Sequence, residues 1–133
     1  MLFRSAGVVN GLLYIVGGSN QSVGSFATVE AYNPVTDTWT PKASMPGGAR
    51  SRLAVGVVNG ILYAVGGSGS GGILTTVEAY DPVNNTWTTK APMPTARENP
   101  AAGVVNGILY AMGGIIPATT TLLATVEAYT PPQ

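Results

Sequence analysis

Short apolar runs alternate with turn residues along the chain and predict β-strands. The run at residues 61–65, Ile-Leu-Tyr-Ala-Val, is apolar at every position. Such a run is typical of a strand in a sheet that is covered on both faces. Asn59-Gly60 precedes it, and Asn-Gly is the strongest short signal for a two-residue β-hairpin. The pattern therefore predicts antiparallel sheets stacked face to face.

The same pattern occurs three times, at a spacing of 47 to 49 residues. Three short motifs recur in each unit. Val-Val-Asn-Gly begins at Val8, Val57 and Val104, and a diglycine begins at Gly17, Gly66 and Gly113. Val-Glu-Ala-Tyr begins at Val29, Val77 and Val126. A period near 50 indicates a propeller-type array. Each unit predicts four strands, which we name A to D. In the second unit we expect them at 53–58, 61–65, 75–80 and 86–90.

These motifs resemble the Kelch repeat, whose motif has an apolar strand, a diglycine, a Tyr-Asp-Pro-like turn and a spaced Trp. The resemblance covers about 2.75 repeats. It implies an all-β fold, a partial β-propeller of three Kelch blades that are four-stranded antiparallel sheets. We expect one array over residues 1–133, with blades at about 5–46, 50–94 and 97–131. The third unit has no counterpart of Trp39 and Trp87, so we expect it to lack its outer strand D.

Three blades are fewer than the four to eight that close a propeller. Two expectations follow from this. The chain is a fragment of a longer protein, or two copies associate by rotational symmetry into a six-bladed ring. Either arrangement would cover the sheet faces and the strand edge that three blades expose.

Low charge limits the classes of partner. Only 9% of the residues are charged, and six Lys and Arg balance six Asp and Glu. Without a concentration of positive charge, we expect neither nucleic acid nor a membrane surface as a partner. The low charge and the abundance of Thr, Asn and Gly lean toward a bacterial extracellular or periplasmic protein.

Histidine and cysteine are both absent from the sequence. This removes disulfides, zinc sites and histidine-dependent triads. It also removes the copper chemistry of the Kelch-like enzyme galactose oxidase, which needs histidine ligands and a cysteine cross-linked to tyrosine. We therefore expect no catalytic residue, no metal and no cofactor, and a protein that is not an enzyme. An enzymatic parent would carry its site in blades outside this chain.

Residues that recur in every unit are interpreted as structural, because all blades need the same packing. We assign blade-to-blade hydrogen bonds to the glutamates of strand C, which are Glu30, Glu78 and Glu127. We assign packing between blades to the recurring aromatic residues, which are Tyr14, Tyr63, Tyr110, Tyr32, Tyr80, Tyr129, Trp39 and Trp87.

Binding is expected where the units differ, in the B–C loops at 19–26, 68–74 and 115–123, because loops on a rigid scaffold carry recognition residues. We predict a scaffold that presents these loops and the D–A loops on one propeller face. Its partner would be a protein or peptide, with acidic or polar segments favoured.

Arg50 and Arg97 are the leading binding candidates, and each stands 13 residues before the strand B tyrosine of its unit. Resemblance to Kelch proteins that bind acidic peptides implies that both line the mouth of the central channel. A guanidinium there can bind a carboxylate through two hydrogen bonds. Ser51, Arg52, Glu98 and Asn99 would be their neighbours. Alternatively, each arginine pairs locally, with Glu98 or with a strand C glutamate.

Overall fold

The structure, a computed structural model, describes residues 3–132 as three antiparallel blades. Blade 1 contains β1 (Phe3–Val9), β2 (Leu12–Asn20), β3 (Gly24–Ser25), β4 (Val29–Asn33) and β5 (Thr38–Lys42). A short strand, β6 (Arg50–Ser51), leads to blade 2, which contains β7 (Ala54–Val58), β8 (Ile61–Val65), β9 (Ser68–Gly69), β10 (Gly72–Ile73), β11 (Val77–Asp81) and β12 (Thr86–Lys90). Blade 3 contains β13 (Ala101–Val105), β14 (Ile108–Met112), β15 (Ile115–Ile116), a 3-10 turn (Pro117–Thr119), β16 (Thr121–Leu122) and β17 (Val126–Tyr129).

The strand order confirms the predicted partial propeller. Blade 2 has the order β12-β11-β8-β7, so its strands D, C, B and A lie side by side. Blade 3 has the order β13-β14-β17, and no strand follows β17 within the described residues. Strands B and D of blade 2 have the predicted bounds. Strand A begins one residue later than predicted, and strand C covers Val77–Asp81, where 75–80 was predicted. The all-β fold with an incomplete third blade is therefore as the repeats indicate.

The Asn-Gly turns between strands A and B have the backbone that the sequence predicts. In blade 2, Asn59 has φ 51° and Gly60 has φ 77°, and the corresponding residues of the other blades have similar angles. Two consecutive positive φ values define the type I′ turn, whose twist matches that of the paired strands. This turn fixes the register, in which Val58 pairs with Ile61.

Two hydrophobic cores lie between the blades, one on each face of blade 2. Leu62, Ala64 and Tyr80 belong to the core shared with blade 1. Tyr63 and Val65, their neighbours in sequence, belong to the core shared with blade 3. Successive residues of a strand point to opposite faces, so a continuously apolar strand supplies both cores. The chain therefore needs few charged residues.

Two aromatic pairs join the blades, as predicted for their four tyrosines, whereas Trp39 is exposed and stacks on Tyr32 of its own blade. The ring centroids of Tyr14 and Tyr80 lie 5.7 Å apart across the first interface, and those of Tyr63 and Tyr129 lie 5.7 Å apart across the second. The Tyr80 hydroxyl donates a hydrogen bond to Asn85 Oδ1 at 2.8 Å. Burial raises the pKa of Tyr80 to about 12, and the nearby Tyr14 and Asp81 contribute to a smaller extent. Tyr80 therefore stays a neutral donor at neutral pH.

The segments that join strand D of one blade to strand A of the next pair with the B–C loops along one edge of the blades. We call these segments linker 1 (43–53) and linker 2 (91–100). In linker 1, β6 pairs with β9 of the B–C loop of blade 2. In linker 2, Glu98 forms a β-bridge with Ile115 of the B–C loop of blade 3. Within the described residues no helix is long and apolar enough to cross a membrane.

Candidate functional site

Arg50 lies buried inside blade 2, although the resemblance implied a place at the channel mouth. Its side chain is 1% exposed, and Nη2 lies 2.7 Å from Glu78 Oε2. The guanidinium also donates to the carbonyl oxygens of Ala64, Gly66 and Thr76, at 3.2 to 3.4 Å. Burial lowers the pKa of Arg50, and the charge of Glu78 opposes this effect. The guanidinium of Arg50 therefore has a strand C glutamate as its ion-pair partner and three carbonyl oxygens as hydrogen-bond acceptors.

Arg97 repeats this arrangement in blade 3. Its side chain is fully buried, and Nη2 lies 2.7 Å from Glu127 Oε1. Nη1 donates to the carbonyl oxygens of Gly113 at 2.8 Å and Thr125 at 3.2 Å. Local pairing with a strand C glutamate, one of the two alternatives left by the sequence, is therefore observed for both arginines. Ligand binding by Arg50 and Arg97 stays a prediction.

The strand C glutamates hold the linkers as well as the arginines. Glu78 Oε1 accepts a hydrogen bond from the Gly47 backbone N–H at 2.6 Å. Glu127 Oε2 accepts one from the Thr95 N–H at 3.4 Å. Each linker follows strand D of the preceding blade. Glu78 therefore connects linker 1 to blade 2, and Glu127 connects linker 2 to blade 3. The contacts of Glu78 and Glu127 run to linker residues, and Glu30 pairs with Arg4 of its own blade, so the predicted hydrogen bonds from blade to blade stay a prediction.

Blade 1 has a more exposed version of the pair. Glu30 occupies the position of Glu78, but its side chain is 42% exposed. Arg4, which lies on β1 and not on a linker, reaches it with Nη1 at 3.0 Å from Glu30 Oε2. The residue of this unit that matches Arg50 is Met1, which lies outside the described residues.

The other predicted site residues lie at the edge formed by the linkers and B–C loops. Ser51 is buried, and its Oγ lies 3.5 Å from Ser25 Oγ. Glu98 is also buried and pairs with the half-exposed Arg52, with 2.8 Å between Oε1 and Nη1. Asn99 is exposed, and its backbone N–H donates to the Arg52 carbonyl at 2.8 Å. The structure therefore brings Arg52, Glu98 and Asn99 together.

A cleft of about 480 Å³ opens at this edge between blades 2 and 3. We call it the loop cleft; Arg52, Ser68, Ile73, Glu98, Pro117 and Ala118 are among its lining residues. Its charged groups are the Arg52 guanidinium and the Glu98 carboxylate. The remaining walls come from the two B–C loops, which differ in length and sequence between the units.

Comparison with known proteins identifies the repeats. The profile of the Kelch motif matches residues 2–46, 49–94 and 96–133. The chain belongs to the Kelch family. The matched segments cover nearly the whole chain and correspond to the three blades described above.

A solved Kelch-type propeller supports the same fold. The chain is similar to the structure titled "Structure of YjhT", with a TM-score of 0.73 and 26% sequence identity. The similarity covers 86% of this chain and 35% of YjhT. No curated protein matches this chain. This chain therefore spans about a third of the length of that propeller.

Two features of the loop cleft are not evident from the sequence. The resemblance implies Arg52 only as a neighbour of Arg50, yet it is the arginine whose side chain reaches the cleft. Its φ of 56° and that of Asn99, 51°, are unusual for residues other than glycine and occur at corresponding positions of the two linkers. A spacing of two residues in an extended strand would place Arg50 and Arg52 on the same side, so the sequence alone did not indicate the different direction of Arg52.

Proposed function

We propose that this chain is a non-catalytic scaffold that binds a protein or peptide in the loop cleft. Kelch repeats are generally protein-interaction scaffolds. The observation that carries the proposal is the position of the cleft. Two B–C loops of unlike sequence meet there, beside Arg52 and Glu98 of the two linkers, and each linker contains an arginine of a buried ion pair. Binding residues on such a rigid base lose little conformational entropy when a partner docks.

An extended segment carrying a carboxylate is the partner that the cleft chemistry favours. Arg52 already forms an ion pair with Glu98 in the loop cleft, so a guanidinium is placed to bind a carboxylate there. A ligand carboxylate would share or replace the Glu98 contact. Ile73 and Pro117 supply apolar walls for neighbouring side chains. Arg50 and Arg97 would act indirectly, by holding the linkers in place.

Replacement of Arg52 by glutamine is expected to weaken binding of an acidic peptide. The probe is an octapeptide of glutamate, titrated by calorimetry at low salt, with octalysine as the charge control. Hydrogen bonds to a charged group contribute about 1.5–3 kcal/mol, so we expect a loss of about tenfold or more in affinity. The loss should shrink as salt is added, because salt screens exposed charges.

Arg4→Gln is the matched control, since Arg4 is also a partly exposed arginine paired with a glutamate but lies away from the loop cleft. It should leave octaglutamate binding unchanged. Equal losses in both variants would show general charge attraction and contradict a site at the loop cleft. Binding that is insensitive to Arg52 would do the same.

Self-association that covers the open face of blade 1 is a second proposal about partners. The observation that favours it is Trp39, which is 54% exposed on β5, whereas its counterpart Trp87 packs against the core shared with blade 1. Light scattering over a dilution series should then give twice the chain mass of 13.5 kDa. A single-chain mass at every concentration would contradict it.

A further inference from the structure

The B–C loop of blade 2 gives the loop cleft a side with almost no side chains. Residues 66–72 of this loop read Gly-Gly-Ser-Gly-Ser-Gly-Gly. The members of this run that line the cleft are Ser68, Gly71 and Gly72. Ile73 of the same loop and Pro117 of the blade 3 loop add apolar walls. Glycine lets a ligand approach the backbone closely, so this side of the cleft can receive a group that lies flat on the chain.

Gly71 has no structural reason to be glycine. Its φ lies outside the left-handed region, and a Cβ there would meet no atom within 4 Å. Two other glycines of the loop differ from it. A Cβ at Gly67 would lie 2.5 Å from the Ser51 carbonyl oxygen, and one at Gly69 would lie 2.9 Å from the Ala49 carbonyl oxygen. Glycine at position 71 therefore serves neither packing nor backbone conformation, and it leaves open space at the cleft.

The other two B–C loops carry a side chain at the matching position. Gly71 directly precedes β10, and the residues that directly precede β3 and β16 are Val23 and Thr120. Val23 is 72% exposed, so blade 1 does not need its side chain for packing. The position therefore accepts a β-branched residue in this fold, and the bare backbone is particular to blade 2.

Arg52 supplies a surface for an aromatic ring as well as a positive charge. Its side chain is 40% exposed although it pairs with Glu98. A guanidinium attracts the face of an aromatic ring whose centre lies within about 6 Å. Blade 1 shows the combination, since Arg4 pairs with Glu30 and its guanidinium lies 5.6 Å from the centre of the Phe26 ring. An arginine of this chain can therefore hold a glutamate and a ring together.

The size of the loop cleft distinguishes a carboxylate alone from a larger group. The cleft measures about 480 Å³. A carboxylate is only about two to three times the size of a water molecule, whose share of liquid volume is about 30 Å³. An acidic side chain on Arg52 would therefore leave most of the cleft unfilled, and the apolar walls at Ile73 and Pro117 would have no partner.

We propose that the loop cleft recognises an acidic segment in which an aromatic residue directly adjoins the acidic residue bound by Arg52. The ring lies on the bare backbone at Gly71, between the apolar walls, and its neighbour's carboxylate contacts the guanidinium. Gly71 determines this specificity, because a side chain there would occupy the place of the ring. The inference rests on the proposed binding of acidic segments at the loop cleft and adds the residue type beside the acid.

Three pentapeptides with blocked ends test the ring. They are Glu-Glu-Phe-Glu-Glu and the same peptide with leucine or alanine in place of phenylalanine, so all three carry equal charge. In calorimetry at low salt, we expect the phenylalanine peptide to bind about tenfold or more tightly than the alanine peptide. It should bind about threefold or more tightly than the leucine peptide, because a ring adds contacts beyond its apolar area. Equal affinity of the phenylalanine peptide and either of the others would overturn the proposal.

Protein variants test the role of Gly71. Gly71→Val introduces the residue that blade 1 has at this position, and it should abolish the preference for phenylalanine over alanine. Gly71→Ala, a smaller change, should reduce the preference in part. The matched control is Val23→Gly, the reverse change in the blade 1 loop, which should keep the preference in full. A preference that survives Gly71→Val would show that the ring lies elsewhere and overturn the assignment.

Failure of this inference is separable from failure of acid binding at the loop cleft. The alanine peptide measures acid binding alone, and its affinity should fall in Arg52→Gln. If it falls and phenylalanine adds nothing, only the aromatic specificity is wrong. If Arg52→Gln changes the binding of neither peptide, the loop cleft is not the acid site and both proposals are wrong. Added salt should weaken all three peptides but leave the preference for phenylalanine, since salt screens exposed charges and not apolar contact.

Discussion

Replacement of Arg50 by methionine is expected to lower the free energy of unfolding by about 3–5 kcal/mol, because it leaves the Glu78 carboxylate buried without its cation. The Arg50 side chain is 1% exposed, and Glu78 is fully buried. Three carbonyl groups also lose donors. Urea unfolding followed by far-UV circular dichroism measures the loss.

The chain supplies its own control for this prediction. Arg4→Met breaks the partly exposed pair with Glu30, and exposed pairs contribute at most about 1 kcal/mol. Combining Arg50→Met with Glu78→Leu should recover part of the loss, since no buried charge then remains. Equal costs for Arg4→Met and Arg50→Met would contradict the role of Arg50 as a buried anchor of linker 1.

Replacement of Gly67 by alanine is expected to cost about 2–5 kcal/mol, the sum of left-handed backbone strain and overpacking. Gly67 has φ 93°, and a Cβ there would lie 2.5 Å from the Ser51 carbonyl oxygen and 3.0 Å from the Leu53 backbone nitrogen. Both atoms belong to the backbone of linker 1, so neither can move without displacing the linker. Urea unfolding again gives the change.

Gly60→Ala separates the two contributions. Gly60 also has positive φ, 77°, but a Cβ there would meet nothing within 4 Å. Its cost should be the backbone strain alone, about 1–2 kcal/mol. If both alanine variants cost the same, close approach of linker 1 to the diglycine would not contribute to stability, and the account of the diglycine would be wrong.

The fold was predictable because its signals are local and repeated. Asn59-Gly60 alone determines a tight hairpin, and the same dipeptide recurs in each unit. Residues 61–65 are apolar at every position, and this run by itself indicates a strand with two covered faces. Each of these inferences uses residues that are neighbours in sequence.

The position of the arginines was not predictable in the same way. Arg50 and Glu78 are 28 residues apart, and their contact depends on the path of linker 1 across blade 2. The sequence allowed either a local pair or a surface position. The deciding feature is the set of carbonyl groups at Ala64, Gly66 and Thr76 that face the guanidinium, and backbone carbonyls leave no mark in a sequence.

The sequence predicts the B–C loops as the region where binding is expected, but it does not predict the loop cleft itself. The units differ at 68–74 and 115–123, so the sequence shows which loops vary, but no repeated residue reveals how two unlike loops meet. Arg52 has positive φ and directly follows Arg50 and Ser51, the two linker residues that pair with the B–C loop. Recognition residues therefore depend on tertiary packing even in a protein whose scaffold is so regular.

Amide hydrogen exchange followed by NMR tests most directly whether the linkers belong to the rigid scaffold. The Arg50 N–H donates to the Phe26 carbonyl at 3.0 Å, and the Gly67 N–H donates to the Arg97 carbonyl at 2.9 Å. If the buried arginines anchor the linkers, both amides should exchange as slowly as those of β8 (Ile61–Val65), while Gly71 at the tip of its loop exchanges fast. Exchange at Arg50 and Gly67 as fast as at Gly71 would show mobile linkers and contradict the account.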